Sequence, residues 1–240
     1  MKRVISNIII VACIFIAGVC GYKLYSYYKE YNTAKDEYKE VAKEVVKTKN
    51  QGKDRTIDFN RLLKINQDVV GWVYAKGTGI DYPIVLTSDN EYYLHHTINR
   101  TVNSSGAIFL DYHVKADFSS EHTIIYGHHM RNGSMFATLL KYRENKFIKK
   151  YDAIEIYTPS EKIKLRVISA YAKKANQKIP VTFGDDYNIS DYKKDILSRS
   201  DIQSRVSSKE IKNAKQIFTF VTCSYEGEDN RTFVHCIRVQ

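Results

Sequence analysis

Ile217-Phe218-Thr219-Phe220-Val221-Thr222-Cys223 and Arg231-Thr232-Phe233-Val234-His235-Cys236-Ile237, separated by the polar run Ser224 to Asn230, decide the fold of this 240-residue chain. Both segments are rich in β-branched and aromatic residues and the run between them is not, so they read as an antiparallel hairpin. Closing the hairpin through that run sets Cys223 across from Arg231. Period-2 alternation puts Arg231, Phe233, His235 and Ile237 on one face and Thr232, Val234 and Cys236 on the other. Cys236 then lies about five residues down the ladder, roughly 16 Å from Cys223 at about 3.3 Å per residue. A disulfide needs Cα atoms within about 7 Å. The two are expected to stay unpaired, with Cys236 a buried core thiol.

Working outward, six further short apolar runs have the same character: Val70 to Tyr74, Ile80 to Leu86, Ala107 to Leu110, Thr123 to Tyr126, Ala153 to Tyr157 and Lys162 to Tyr171. With Gln216 to Thr222 and Thr232 to Val239 they make eight strand candidates. Eight strands with few helices predict a mainly β fold closed, or nearly closed, into a barrel. Helical interruptions are expected at Ser134 to Tyr151 and at Ser190 to Ala214, the second broken around Ser204 to Ser208. A short helix is expected from Asp58, its N-cap, through Leu62, Leu63 and Ile65.

The N-terminus sets the compartment. Lys2 and Arg3 precede an uncharged stretch from Val4 to Tyr22, 19 residues, about enough to span a bilayer. Ala17-Gly18-Val19 is a poor cleavage site, so a retained anchor is expected, with residues 1–3 cytoplasmic and the rest of the chain outside the cell. Next, Tyr38, Val41, Ala42, Val45 and Val46 form a stripe opposite Lys35, Lys39, Lys43 and Lys47, an amphipathic helix read as a stalk. Residues 48–56 read as a linker, giving an anchor at 4–22, a stalk and linker at 23–56 and a folded domain at 57–240.

Composition narrows the function. The 37 Lys and Arg exceed the 27 Asp and Glu by 10, but the first 55 residues hold 11 bases and 6 acids, half of that excess. The remainder shows no basic cluster with interleaved aromatics, which argues against nucleic acid.

Chemistry then turns on Cys223, the cysteine that the anchor (Cys13, Cys20) and the core (Cys236) leave over. A thiol must lose its proton to attack a carbonyl, and a neighbouring cation such as Arg231 favours the thiolate. An acid is also needed for the departing amine, and histidine is the usual one. His95, His96, His113 and His122 lie in polar stretches and are expected to be solvated; His235 is embedded in a strand. His128 and His129 project from a strand end after Gly127, where catalytic groups commonly sit. No third ligand stands at a zinc-like spacing, so no metal or other cofactor is expected.

Tyr126-Gly127-His128-His129-Met130 with Asn132-Gly133-Ser134-Met135-Phe136, followed by Thr219-Phe220-Val221-Thr222-Cys223 and Arg231, resembles the sortase family, specifically class B. The resemblance extends through Gly71-Trp72, Gly79 to Val85, Asp89 to Leu94 and Gly106 to Asp111, covering essentially residues 58–239 plus the anchor. It implies an eight-stranded sortase barrel with an N-terminal helix and a helical insertion before the cysteine strand. It further implies a cysteine transpeptidase: Cys223 attacks the Thr carbonyl of a sorting signal, and an amine of a peptidoglycan precursor resolves the thioacyl enzyme. By the same match His128 is the acid and base, Arg231 holds the peptide or oxyanion, and Asn90, Leu94, Tyr126, Val221 and Thr222 contact substrate. Val221 and Ser224 depart from the family pattern beside the nucleophile, which bears on peptide preference. A thiol peptidase, a pilin-polymerising sortase and a non-catalytic wall-binding module are the rival readings.

Overall fold

The computed structural model describes residues 2–49, 54–174, 179–224 and 229–239. Eight strands close into one barrel: β3 (Val69–Ala75), β4 (Ile80–Val85), β5 (Ile108–Leu110), β6 (His122–Tyr126), β7 (Ala153–Tyr157), β8 (Lys162–Lys174), β9 (Ile217–Ser224) and β10 (Asn230–Val239). They are ordered β10-β8-β7-β3-β4-β5-β6-β9, with β9 pairing back onto β10. Every predicted strand is present, and closure leaves no unpaired edge in the barrel. Two neighbouring pairs are parallel, β4 with β5 and β6 with β9. The second of these builds the site.

The alternation predicted for β10 holds. Val234 and Cys236 point into the barrel with Phe218 and Phe220, whereas Phe233 and Ile237 join Val221 and Ile124 on the outer face. That outer face is covered by α4 (Ile189–Ser198) and α5 (Ser208–Asn213), the helical insertion between β8 and β9. Each helix has its own start signal: Asn188 accepts from the Ser190 and Asp191 amides, and Ser207 with Glu210 forms a capping box. Buried Lys193 ties the two together by donating to the carbonyls of Ile211, Lys212 and Ala214 at the end of α5. These orphan C-terminal carbonyls take a cation in place of a capping residue. The interruption predicted between β6 and β7 is a 3₁₀ segment, Ala137–Arg143, followed by one helical turn, α3 (Asn145–Ile148).

The N-terminal region differs from its expected division. A single helix, α1 (Lys2–Val45), runs without a break from the apolar stretch into the amphipathic one. Its first part exposes Val4 to Tyr28, as an apolar helix without a protein partner would. Its last part is docked: Ala34, Tyr38, Val41 and Val45 are buried, and Tyr38, Val41 and Val45 belong to the same core as the barrel interior. The stripe read as a stalk is therefore a face of the catalytic body. The expected linker is a small antiparallel hairpin, β1 (Val46–Lys49) with β2 (Asp54–Ile57); Asn50 and Gly52, which suggested the linker, lie outside the described residues. Helix α2 (Phe59–Ile65) follows, with the Asp58 side chain accepting from the Arg61 amide at 3.2 Å as the predicted cap.

Candidate active site

Parallel pairing of β6 and β9 aligns Tyr126 with Val221, and the Gly127 amide continues the ladder by donating to the Val221 carbonyl at 3.1 Å. His128 stands two residues past Tyr126, and Cys223 two past Val221, just beyond the end of this ladder. On the other side of β9, Cys223 pairs directly with Arg231 of β10, as the hairpin predicted. Three neighbouring segments thus bring His128, Cys223 and Arg231 to the same end of the barrel, Cys223 paired with Arg231 and His128 two residues beyond the last β6 pairing. Gly127 permits this approach: a Cβ there would run into the Ile108 side chain and stand 2.8 Å from Phe136.

His128, Arg231, Asn90, Leu94, Tyr126, Val221 and Thr222 all line one cavity of about 260 Å³. Glu91, Phe109 and Gly127, which the sequence did not single out as binding groups, complete it. The wall is a mixture of apolar surface and a few polar groups, as a peptide cleft requires. Asn90 and Leu94 arrive from the segment between β4 and β5, where Asp89 accepts from the amides of Glu91 and Tyr92 and starts the 3₁₀ turn Tyr92–Leu94.

His128 is half-buried, and its Nε2 lies 2.8 Å from the Leu94 carbonyl. A carbonyl only accepts, so Nε2 carries the proton in this bond and Nδ1 is the nitrogen left to gain and lose one. Burial lowers the His128 pKa below the ordinary histidine value; the Leu94 bond works against this, and charge on His95 adds to it. Tyr126 lies beside Asp111 and is pushed far above the usual phenol value by burial and by that carboxylate, so its hydroxyl keeps its proton.

Of the four histidines expected to be solvated, His95 and His113 are exposed, and His96 is half-buried with its ring stacked on Tyr92 at 4.0 Å. His122 is the exception. It is fully buried, with Nδ1 2.5 Å from the Pro180 carbonyl and Nε2 2.6 Å from the Thr219 hydroxyl. The polar run before it, Ser119-Ser120-Glu121, ends where β6 begins, and the strand draws His122 in beside Tyr192 of α4 and Phe183. Cys236 is buried and unpaired, opposite Phe218. In the acidic loop, Asp229 is exposed, and Glu226 and Glu228 lie outside the described residues. Among the described residues no three His, Cys, Asp or Glu side chains are grouped to hold a metal.

The closed barrel of eight strands with its N-terminal helix agrees with the comparisons. The Sortase domain family matches residues 73–239, and the chain belongs to that family, whose members are cell-surface enzymes. Within it the relatives are of one class. Sortase B of Listeria monocytogenes is 31% identical over 216 residues, 90% of this chain and 86% of the relative. Sortase B of Staphylococcus aureus is 29% identical over 226 residues, 93% and 91% of the two chains. The crystal structure of sortase B from B. anthracis in complex with AAEK1 superposes with a TM-score of 0.76 at 29% identity, covering 89% of this chain and 99% of that one. The chain is a class B sortase, and hence a cysteine transpeptidase, which removes the non-catalytic wall-binding module from the rival readings.

Proposed function

We propose that this protein is a membrane-anchored transpeptidase that cleaves a C-terminal sorting signal after Thr and joins the protein to an amine of a peptidoglycan precursor. The reading rests on His128 and Arg231 lining one cavity, with Cys223 paired to Arg231 on the neighbouring strand. Staphylococcus aureus sortase B has been solved as a substrate complex, at 30% identity and a TM-score of 0.70, and a sortase B has been solved with triglycine, at 30% identity and a TM-score of 0.69. Both support a peptide donor and an amine acceptor here. The exposed apolar part of α1, near the N-terminus and long enough to cross a bilayer, supports a single anchor, with the catalytic body on the outer side.

In this mechanism the Cys223 thiolate adds to the Thr carbonyl carbon, forming a C–S bond and an oxyanion. Arg231, on the adjacent strand, holds the oxyanion or the peptide carbonyl, the role of a fixed cation where charge develops. His128 Nδ1 gives its proton to the departing amine as the C–N bond breaks. An acceptor amine then adds to the thioester carbon, its proton returns to His128, and the C–S bond breaks. One amide replaces another, with no redox step. Asn90, Leu94, Tyr126, Val221 and Thr222 hold the peptide.

The test is to incubate the protein with a library of sorting pentapeptides and weigh it. A thioacyl adduct on Cys223 that disappears on addition of triglycine, with a peptide–triglycine product, is the expected result. An adduct that decays to free acid at the same rate with and without triglycine would make the protein a thiol peptidase.

A further inference from the structure

The geometry points to Asp111 as a positioning residue that fixes the hydrogen-bonding polarity of the cavity by orienting Asn90 and Tyr126. This rests on the peptide-binding reading proposed above. Asp111 follows β5 and is buried, yet it makes no ion pair with an arginine or lysine among the described residues. Its Oδ2 accepts from Asn90 Nδ2 at 3.0 Å and from the Tyr126 hydroxyl at 3.1 Å. Its Oδ1 accepts from the His113 amide at 3.0 Å and is 2.8 Å from His113 Nδ1.

A carboxylate accepts and cannot donate, so these bonds have only one sense. The Asn90 amide is turned with Nδ2 toward Asp111, and its Oδ1 is engaged from the other side by the Tyr112 amide at 3.0 Å. The Tyr126 proton is committed to Asp111, which leaves only oxygen lone pairs for a ligand. Toward the cavity, then, Tyr126 is an acceptor for a peptide N–H, and Asn90 keeps one N–H for a peptide carbonyl. Burial alone would raise the Asp111 carboxyl, but the bonds from His113, Asn90 and Tyr126 outweigh it and hold the group below the usual carboxylate range. The acceptor is therefore ionised at neutral pH, and the polarity of both contacts is fixed there.

The experiment compares the wild type with Asp111→Asn and Asn90→Asp in steady-state cleavage of a sorting peptide. Asp111→Asn keeps the shape and introduces an N–H facing the Tyr126 hydroxyl and the Asn90 amide, so both lose their fixed sense. The expected result is a KM raised about tenfold or more, since a lost bond to a charged group has that scale, with kcat and the rate of Cys223 alkylation by a small reagent within about threefold. Asn90→Asp, half-exposed and so tolerant in folding, sets two carboxylates together. It should raise KM more than Asn90→Ala does, and this excess should vanish in the Asp111→Asn background. An unchanged KM in Asp111→Asn, or equal effects of Asn90→Asp and Asn90→Ala, overturns the inference. Should the wild type cleave no sorting peptide and form no adduct, the failure belongs to the proposed function instead.

Discussion

The Tyr38 hydroxyl, on the N-terminal helix, donates to the Gly106 carbonyl at 2.8 Å, and it accepts from the Ile98 amide at 3.2 Å. Gly106 in turn lies against the shelf that holds His128: a Cβ there would be 2.8 Å from the Leu94 carbonyl, the partner of His128, and 3.1 Å from the His128 ring. The helix read from sequence as a stalk is thus two contacts from a proposed catalytic group. Removing the hydroxyl leaves a buried amide and carbonyl without a partner, so Tyr38→Phe should cost about 1–3 kcal/mol of stability. A chain begun at Thr56 should melt lower, and turn over more slowly, than one begun at Tyr28. Equal melting temperatures and rates for the two chains would show that the docking is dispensable.

Gly106 itself has φ +55, in the left-handed region, and is crowded on the side a Cβ would occupy, with the Tyr93 carbonyl at 2.5 Å. Gly106→Ala is expected to displace the Leu94 carbonyl and with it the orientation of His128. Catalytic efficiency should fall at least about tenfold, since small misplacements of reacting groups cost that much or more. Gly184→Ala, with open space at its Cβ position, is the control and should leave turnover unchanged. A normal rate in Gly106→Ala, measured on folded protein, would separate that shelf from catalysis.

Strand positions were legible because period-2 runs between polar stretches leave little choice, and the Cys223 to Arg231 pairing followed from the hairpin alone. The parallel pairing of β6 with β9 was not, because it joins positions 95 residues apart, as Tyr126 with Val221, and no local pattern encodes it. Docking of α1 escaped because a stripe of Tyr38, Val41 and Val45 opposite lysines fits any apolar partner. Asp111 could have been found from one signal, an acid set immediately after the fully apolar Ile108-Phe109-Leu110, where burial demands donors. His122 was misplaced because its polar neighbours, rather than the strand it opens, governed the reading.

Activity should depend on pH as a bell. The thiolate must coexist with a protonated His128, the reverse of the state both groups prefer, so the competent fraction is small at any pH. His128 is lowered by burial, so the acid limb of kcat/KM should lie below about 6.5, the ordinary histidine value. Charge on His95 contributes to that lowering, and His95→Gln should move the acid limb upward. An acid limb well above the ordinary histidine value would assign it to another group.

Thiol reagents should discriminate between Cys223 and Cys236. Cys236 is fully buried, and burial raises its thiol well above the ordinary value, with the charge of Asp152 adding to the effect. Iodoacetamide should label Cys223 in the folded protein in parallel with loss of activity, and label Cys236 only after denaturation. Cys223→Ala should abolish turnover and Cys236→Ala should not. Activity surviving complete modification of Cys223, or lost to a chelator and restored by a divalent ion, would overturn the cysteine mechanism.

Acid should loosen the catalytic strands through a buried chain of three side chains. His122 Nδ1 donates to the Pro180 carbonyl, which leaves Nε2 to accept from the Thr219 hydroxyl; Thr219 Oγ1 lies 2.8 Å from His235 Nδ1, which donates to it. The chain binds β6, β9 and β10 to the segment before α4, beneath Tyr192. It works only with both imidazoles neutral, since a proton on His122 Nε2 would give Thr219 two donors and its own proton no acceptor. Burial depresses His122 to about 4, and it depresses His235 well below the ordinary histidine value, with charge on His122 as the next cause. A histidine depressed in the folded state binds its proton more readily when unfolded, so its stabilisation is complete above about 6.5 and is lost as pH falls toward 4. For His122 alone this is on the order of 3 kcal/mol. The melting temperature should therefore fall steeply between pH 6.5 and 4. His122→Asn should be less stable than the wild type at pH 7.5 but lose less on acidification. Parallel melting curves for the two proteins across that range would show that His122 does not carry the acid sensitivity.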